Sequence, residues 1–581
     1  DGPSFSAYNS YTSESAITWS PWKHLAEPYR ATTLEAKCGA CGENASYRWE
    51  VGEGEGAAVY YGERATHTFK EGGKGCTVTL TVMAPVTATG EDGVQEVMVK
   101  YVRREIRSLS DEDRERFLDA AETLYRVPSE QGQALYGDKY KGIEYFVQMH
   151  LDGAGVPDCD HWHDGAGIMT HHVGFTLEFE QALQVVDPLV TVPYWEYTLD
   201  EQLFHSLGES PIFEDDWFGE ISPDNDFKAV ESGRWAYTPV ATADASYGVK
   251  NPWGLLRSPW NTNPAPYFSR SDQVAGGQGF FIPSCETYSS CFYRPSLAGV
   301  NNCLNGATHG PVHILIGGEW GHPNQALIQE WGISAKLVLI AKALWRRGFL
   351  RVPETCEGYN DDGSATGANA CHTSCPAEIY EAHGMTPYDV LALFWTAVST
   401  GGKIYYDDEA DAYHVRGRRD DPEAEAYAWE HLLAVYCNPG MVGEMFTSSA
   451  PYDPTFWVLH PTAERLLGQR RMAAEREGDD AIPWDEAWGY KHHEGDTGDM
   501  EVVCDWSGVV DETDLPICEE MECSGHLQFD PLPFKFLLDG EVVEMDNQEL
   551  YDFVHPENPQ VPYMYDTFSW PHCDAAGYPL G

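Results

Sequence analysis

Short runs in which apolar and polar residues alternate fill the first hundred positions, notably YRWEV from Tyr47 to Val51 and CTVTLTV from Cys76 to Val82. Successive side chains of a strand point to opposite faces, so this period predicts half-buried strands, and the Gly-rich stretches between them predict turns. Residues 1–95 therefore read as a small β-sandwich. From about residue 97 the pattern becomes helical. Ser108 and Ser110 precede the acidic turn Asp111-Glu112-Asp113, and Phe117, Leu118, Ala121 and Leu124 follow at helical spacing, which predicts a capped amphipathic helix starting near Asp111. A second helix is predicted through GIEYFVQMH to His150. A third runs through HHVGFTLEFEQALQVV, where Phe175, Leu177, Phe179 and Leu183 form an apolar wall. Between about 324 and 440 lie further helical stretches, QALIQEWGISAKLVLIAKALWRR, TPYDVLALFWTAV and AEAYAWEHLLAVY, separated by loops such as GYNDDGSATGANA. After about 480 loops and short strands return, and LDGE inside LQFDPLPFKFLLDGEVVEM reads as a hairpin turn.

With 581 residues the chain exceeds what one hydrophobic core usually serves, so several domains are expected. The patterning divides it into a β-sandwich (1–95), a mainly α domain (96–480) with an insertion at about 324–440, and a β/loop-rich extension (481–581). The formal charge of −55 excludes a nucleic-acid role, which needs a basic stripe, and excludes docking on an anionic membrane surface. Salt shortens the Debye length from about 10 Å at 0.1 M to about 3 Å at 1 M, so a saline extracellular setting suits such a charge, although plain solubility explains it equally. No apolar run approaches the roughly 20 residues that would span a bilayer.

Fifteen cysteines, in contexts such as CGAC (Cys38, Cys41), CETYSSC (Cys285, Cys291), CHTSC (Cys371, Cys375) and Cys518/Cys523, read as disulfide partners, with one left over. CGAC has a rival reading as a redox or zinc pair, but no second pair stands at zinc spacing. The start at Asp1 without methionine fits a cleaved secretory signal, and Asn44-Ala45-Ser46 is a glycosylation sequon. A secreted or lumenal protein is expected.

The chemistry is sought at the histidines. One cluster holds His150, His161, His163, His171 and His172, a second His309 and His313, and a later residue, His460, closes the phrase DPTFWVLH. His309 and His313 stand four apart and share a helix face. His460 follows Phe456 and Trp457, where a buried polar ring needs a partner. Imidazole-only sets suit copper or zinc, and copper binds tightest among the first-row divalent ions.

The neighbours of these histidines resemble the type 3 copper family, the tyrosinases, catechol oxidases and haemocyanins. HVGFTLEFEQAL from His172 is similar to the family's ligand-bearing helix, PYWEYTLD to its following strand, HGPVHILIGG to its second HxxxH motif, and DPTFWVLH to its last ligand motif. A second resemblance, to a PKD-type or related immunoglobulin-like domain, rests on Tyr47-x-Trp49, THTF, GGKG and TVTLTV. The first resemblance implies a four-helix-bundle core that holds two copper ions, one on His150, His163 and His172, the other on His309, His313 and His460. It implies oxidation of o-diphenols to o-quinones with dioxygen, with no catalytic residue beyond the metal ligands. His161 competes with His163 because CxH with Cys159 matches the family's cysteine–histidine thioether, but the nine-residue offset from His163 to His172 is the family's usual one. His171 is expected to be a packing residue.

Several positions depart from the family. Gly310 follows His309 where monophenol hydroxylases often have asparagine, and Val300 stands where many have a water-orienting glutamate. Both favour diphenol oxidation over monophenol hydroxylation. Leu459 and Glu464 replace the histidine and aspartate common beside the last ligand. The 147-residue step from His313 to His460 is longer than is usual for the family. The expected partners are a phenolic small molecule and dioxygen, with extracellular assembly or a homo-oligomer open. Two further readings remain: a dioxygen carrier like the haemocyanins, or an extracellular structural protein with a vestigial site.

Overall fold

The alternating N-terminal runs form strands in the computed structural model, which describes the chain except residues 1–2, 13–16, 40, 42–44, 85–91, 156–159, 161, 164–166, 244–246, 275–281, 324, 334–336, 355, 357–370, 395–401, 478–527 and 530. Asn44, Cys159, His161, Cys518, Cys523 and the loop GYNDDGSATGANA lie outside the described residues. Strands β1 (Ser4–Tyr8), β2 (Leu25–Ala26), β3 (Ala31–Lys37), β4 (Ser46–Val51), β5 (Ala58–Tyr61), β6 (Arg64–Thr68), β7 (Lys74–Ala84) and β8 (Gly93–Val99) make two sheets. Their orders are β1-β3-β6 and β2-β8-β7-β4-β5. Tyr47, Trp49 and Val51 of β4 are buried while the residues between them are partly exposed, as the period of two requires. Phe5 and Leu34 of the smaller sheet share one buried cluster with Trp49, Val78, Leu80 and Val97 of the larger.

Strand pairing persists beyond the expected change of pattern. β8 runs on to Val99, and β9 (Tyr101–Arg103) pairs in parallel with the distant strand Tyr563–Tyr565. Helix begins in earnest at α1 (Asp111–Arg126), where Ser110 accepts the backbone N–H of Asp113 at 3.2 Å as an N-cap. α2 (Ser129–Tyr136), α3 (Ile143–Ala154) and α4 (His171–Val186) follow, and the long helix Phe456–Glu477 packs against α4. Phe179 of α4 stacks on Trp457 at 3.6 Å between ring centroids, so the two helices meet through their largest apolar side chains.

The segment between His313 and His460 builds a core of its own. Ile328, Trp331, Leu337, Ile340, Leu344, Val390, Trp429, Leu432 and Tyr436 are buried together, and Cys375–Cys437 ties the segment internally. The other described disulfides are Cys38–Cys41, Cys285–Cys573, Cys291–Cys303 and Cys356–Cys371, and Cys76 is the free thiol among the described residues.

In the C-terminal segment, strands Phe536–Leu538 and Glu541–Val543 form the expected hairpin. Asp539 and Gly540 both have positive φ, 54° and 83°, the backbone of a type I′ turn. The aromatic side chains of the run VPYMYDTFSW are buried. Tyr563 lies under the Arg103 guanidinium and Trp570 under that of Arg465, so the run braces the core.

Candidate metal centre

α3 (His150), a turn before α4 (His163), α4 (His172), the turn Leu304–His309 (His309), the helix Gly310–Gly317 (His313) and the helix Phe456–Glu477 (His460) bring the six expected histidines together in two triads. In each triad, His150/His163/His172 and His309/His313/His460, one ring nitrogen per residue lies within 4.8 Å of the others. The triads face each other. The His172 and His460 rings stack across the gap with centroids 4.5 Å apart, and His172 and His309 are 6.1 Å apart.

Each ring is oriented by its other nitrogen. Nδ1 of His150 meets the Ser448 carbonyl at 2.7 Å, that of His172 the Gly167 carbonyl at 3.1 Å, and that of His313 the Met445 carbonyl at 2.8 Å. The Leu304 and Phe456 carbonyls take His309 and His460, each at 2.8 Å. His163 instead faces a carboxylate, Asp160, at 2.8 Å. A carbonyl or carboxylate only accepts, so Nδ1 carries the hydrogen and Nε2 is left with its lone pair. Nε2 of His150, His172, His313 and His460 is buried and has no hydrogen-bond partner.

Four buried ring nitrogens left as bare acceptors are unfavourable for a protein without a metal and are what a metal requires. Burial, with the neighbouring imidazoles, also holds five of the rings neutral. It pulls His150 down to about 3 and His309 to about 4, and it holds His172, His313 and His460 well below the usual imidazole range. The donor set fits copper.

Local backbone explains the aim of several rings. Leu304–His309 forms one π-helical turn, which leaves the Leu304 carbonyl directly beneath the His309 ring, a bulge of the kind often found at functional sites. Tyr197 of PYWEYT donates its hydroxyl to the Thr308 carbonyl at 2.7 Å and so pins that turn. The Trp195 backbone N–H donates to the Val458 carbonyl at 2.8 Å, and Thr462 returns a hydroxyl to the Trp195 carbonyl at 2.6 Å, so the same motif seats the helix of His460. Asp453 of DPTFW accepts the backbone N–H of Thr455, just before that helix, and is held by Nε and Nη2 of buried Arg270, at 2.6 and 2.8 Å. Phe456 fills the floor between the triads, 4.1 Å from the His460 ring and 5.7 Å from that of His150. His171 points away and packs on Trp162 and Phe534, as expected of a packing residue.

Three supports are illegible as side-chain motifs: the carbonyls of Met445 and Ser448, and the π turn. The fourth, Asp160, left a signal in its Asp-x-x-His spacing to His163.

Residues 140–327 match the family described as the common central domain of tyrosinase. The chain is 31% identical over 127 residues to a grixazone synthase of Streptomyces griseus, covering 20% of this chain and 35% of that protein. It is 26% identical over 155 residues to a tyrosinase of Streptomyces galbus (26% and 50%), and 26% identical over 220 residues to a putative tyrosinase-like protein, tyr-3, of Caenorhabditis elegans (38% and 27%). The chain thus spans between about a quarter and a half of the length of these relatives. The likenesses support a copper protein of the tyrosinase family, within type 3 copper proteins, and the tyrosinase domain implies a binuclear copper centre. The matched region contains five of the six histidines, and the fold adds His460 from beyond it.

Proposed function

We propose that this chain is a polyphenol oxidase of the catechol oxidase type, oxidising o-diphenols to o-quinones with dioxygen, with one copper on His150, His163 and His172 and the other on His309, His313 and His460. The observation that carries this is the set of buried, partnerless Nε2 atoms converging from two facing triads. Bound copper would supply the redox chemistry between the phenol and dioxygen. The protein's own part is to fix six imidazoles through their Nδ1 atoms, to keep the floor dry with Phe456, and to leave the side of His163 and His313, the two less buried ligands, open to a flat aromatic ring.

Diphenol oxidation is favoured over monophenol hydroxylation by Gly310 and Val300, which offer no side chain able to orient a water or accept a phenolic proton. We read the four ligand-bearing and flanking helices as the bundle of a type 3 copper core and the N-terminal sheets as a PKD- or immunoglobulin-like β-sandwich. The segment 324–440 is an insertion in that core, and the acidic, disulfide-bonded chain suits a secreted setting. The test is copper loading followed by oxygen uptake with a catechol and with a monophenol. Two coppers per chain and catechol turnover are expected. Copper without turnover would point to a dioxygen-binding protein, and no copper uptake would sink the proposal.

A further inference from the structure

Resting on the copper reading above, we infer that Asp160 is a positioning residue for His163 and that Lys342, on the inserted helix Leu337–Arg346, holds that carboxylate in place. The insertion would then be part of the metal centre rather than decoration. Among the six histidines, His163 is the one turned by a carboxylate instead of a backbone carbonyl. Asp160 is almost fully buried, and its Oδ1 also accepts the backbone N–H groups of Trp162 at 3.2 Å and His163 at 3.1 Å. The carboxylate thus fixes both the ring and the backbone that bears it. A charged acceptor makes a stronger hydrogen bond to Nδ1 than a carbonyl does, and it strengthens Nε2 as a donor to a metal.

A buried carboxylate needs an opposite charge. Lys342 supplies one, with Nζ 3.1 Å from Oδ2. Its neighbour on the same helix, Leu339, packs with Val274, Ile314 and Phe446, and Ile314 follows His313 directly. One helix of the insertion therefore touches the surroundings of a ligand in each triad, His163 through charge and His313 through packing. His163 is also tied to the second triad, since Asn305 in the π turn donates to its carbonyl at 2.7 Å.

Copper content and affinity of the full-length wild type, Asp160→Asn, Lys342→Met and Lys342→Arg decide the matter, read by metal analysis after dialysis against graded chelator and by electron paramagnetic resonance. Wild type is expected to keep two coppers. D160N should keep one at wild-type strength and hold the other about 10- to 100-fold more weakly, with a lone-copper resonance that a spin-coupled pair suppresses. K342M should weaken the same copper about tenfold, the lower end of that range, and K342R should restore it. Should D160N fail to fold, the more exposed K342M decides alone. Unchanged affinity for both coppers in the folded variants overturns the inference, as does a fall in K342R equal to that in K342M. A wild type that takes up no copper overturns the copper reading and this inference with it, whereas a wild type with two coppers beside an unchanged D160N overturns the inference alone.

Discussion

Replacing Arg103 by methionine removes the cation on which three parts of the chain converge. Its Nε and Nη2 bind Glu180 of α4 at 3.2 and 2.8 Å, its Nη1 binds Glu464 at 2.9 Å, and its guanidinium lies 3.5 Å from the Tyr563 ring centroid. Arg103 is fully buried and both carboxylates are nearly so. Methionine fills the space but strands two buried carboxylates, and breaking a buried ion pair in this way costs about 3–5 kcal/mol. Loss of the desolvated cation–π contact adds up to about 2 kcal/mol. R103M should therefore lose about 5 kcal/mol in urea unfolding followed by tryptophan fluorescence, while R103K, which keeps the charge but not the fork, should lose about half.

The pH dependence gives the mechanism away. Burial raises the Glu464 carboxyl, Arg103 opposes that rise, and removing Arg103 lets the pKa climb further. A carboxyl with a raised folded-state pKa binds protons more tightly when folded, so its penalty grows as pH rises and fades as pH falls. The R103M deficit should shrink between about pH 8 and about pH 5. A variant within about 1 kcal/mol of wild type at every pH would refute the account.

Three further outcomes follow from the same structure. Gly174 faces Phe534 of the C-terminal segment, and a Cβ there would lie 2.6 Å from its ring, so Gly174→Ala should destabilise by about 1–3 kcal/mol and expose the segment to protease, with Phe534→Leu relieving part of both. Opening Cys285–Cys573 in a Cys285→Ser/Cys573→Ser variant frees the chain's last residues from a loop of sequence separation 288, and should cost about 2–5 kcal/mol in the same urea assay, with faster cleavage after residue 530. Copper-free protein should lose stability as pH falls from about 6.5 to about 4, because the unfolded chain protonates these histidines while burial holds them neutral in the fold; a flat profile by thermal melting would contradict the buried imidazole cluster.

Much of this site was legible because its chemistry depends on side chains of distinctive type. Six histidines, the two aromatic motifs beside them and the apolar walls of α3 and α4 are local patterns, and the helices begin where Ser110 and His171 stand in the sequence. The hairpin at Asp539-Gly540 was equally local. What escaped depends on partners far apart along the chain. Cys285 and Cys291 bond to Cys573 and Cys303 rather than to each other, and Tyr101–Arg103 is a strand only because Tyr563–Tyr565 lies beside it. Backbone carbonyls leave no compositional mark, so the roles of Met445 and Ser448 had no residue type to announce them.

The parallel pairing of Tyr101–Arg103 with Tyr563–Tyr565 joins positions 462 residues apart. Such a clasp cannot fasten until residue 565 has been made, so the helical region waits, with Glu464 lacking the hydroxyls of Tyr563 and Tyr565, until that strand emerges. Residues 563–573 are thus masonry rather than trimming: a shortened version ending before residue 560 would lack a strand, two tyrosines and the far end of a disulfide that its interior is built around.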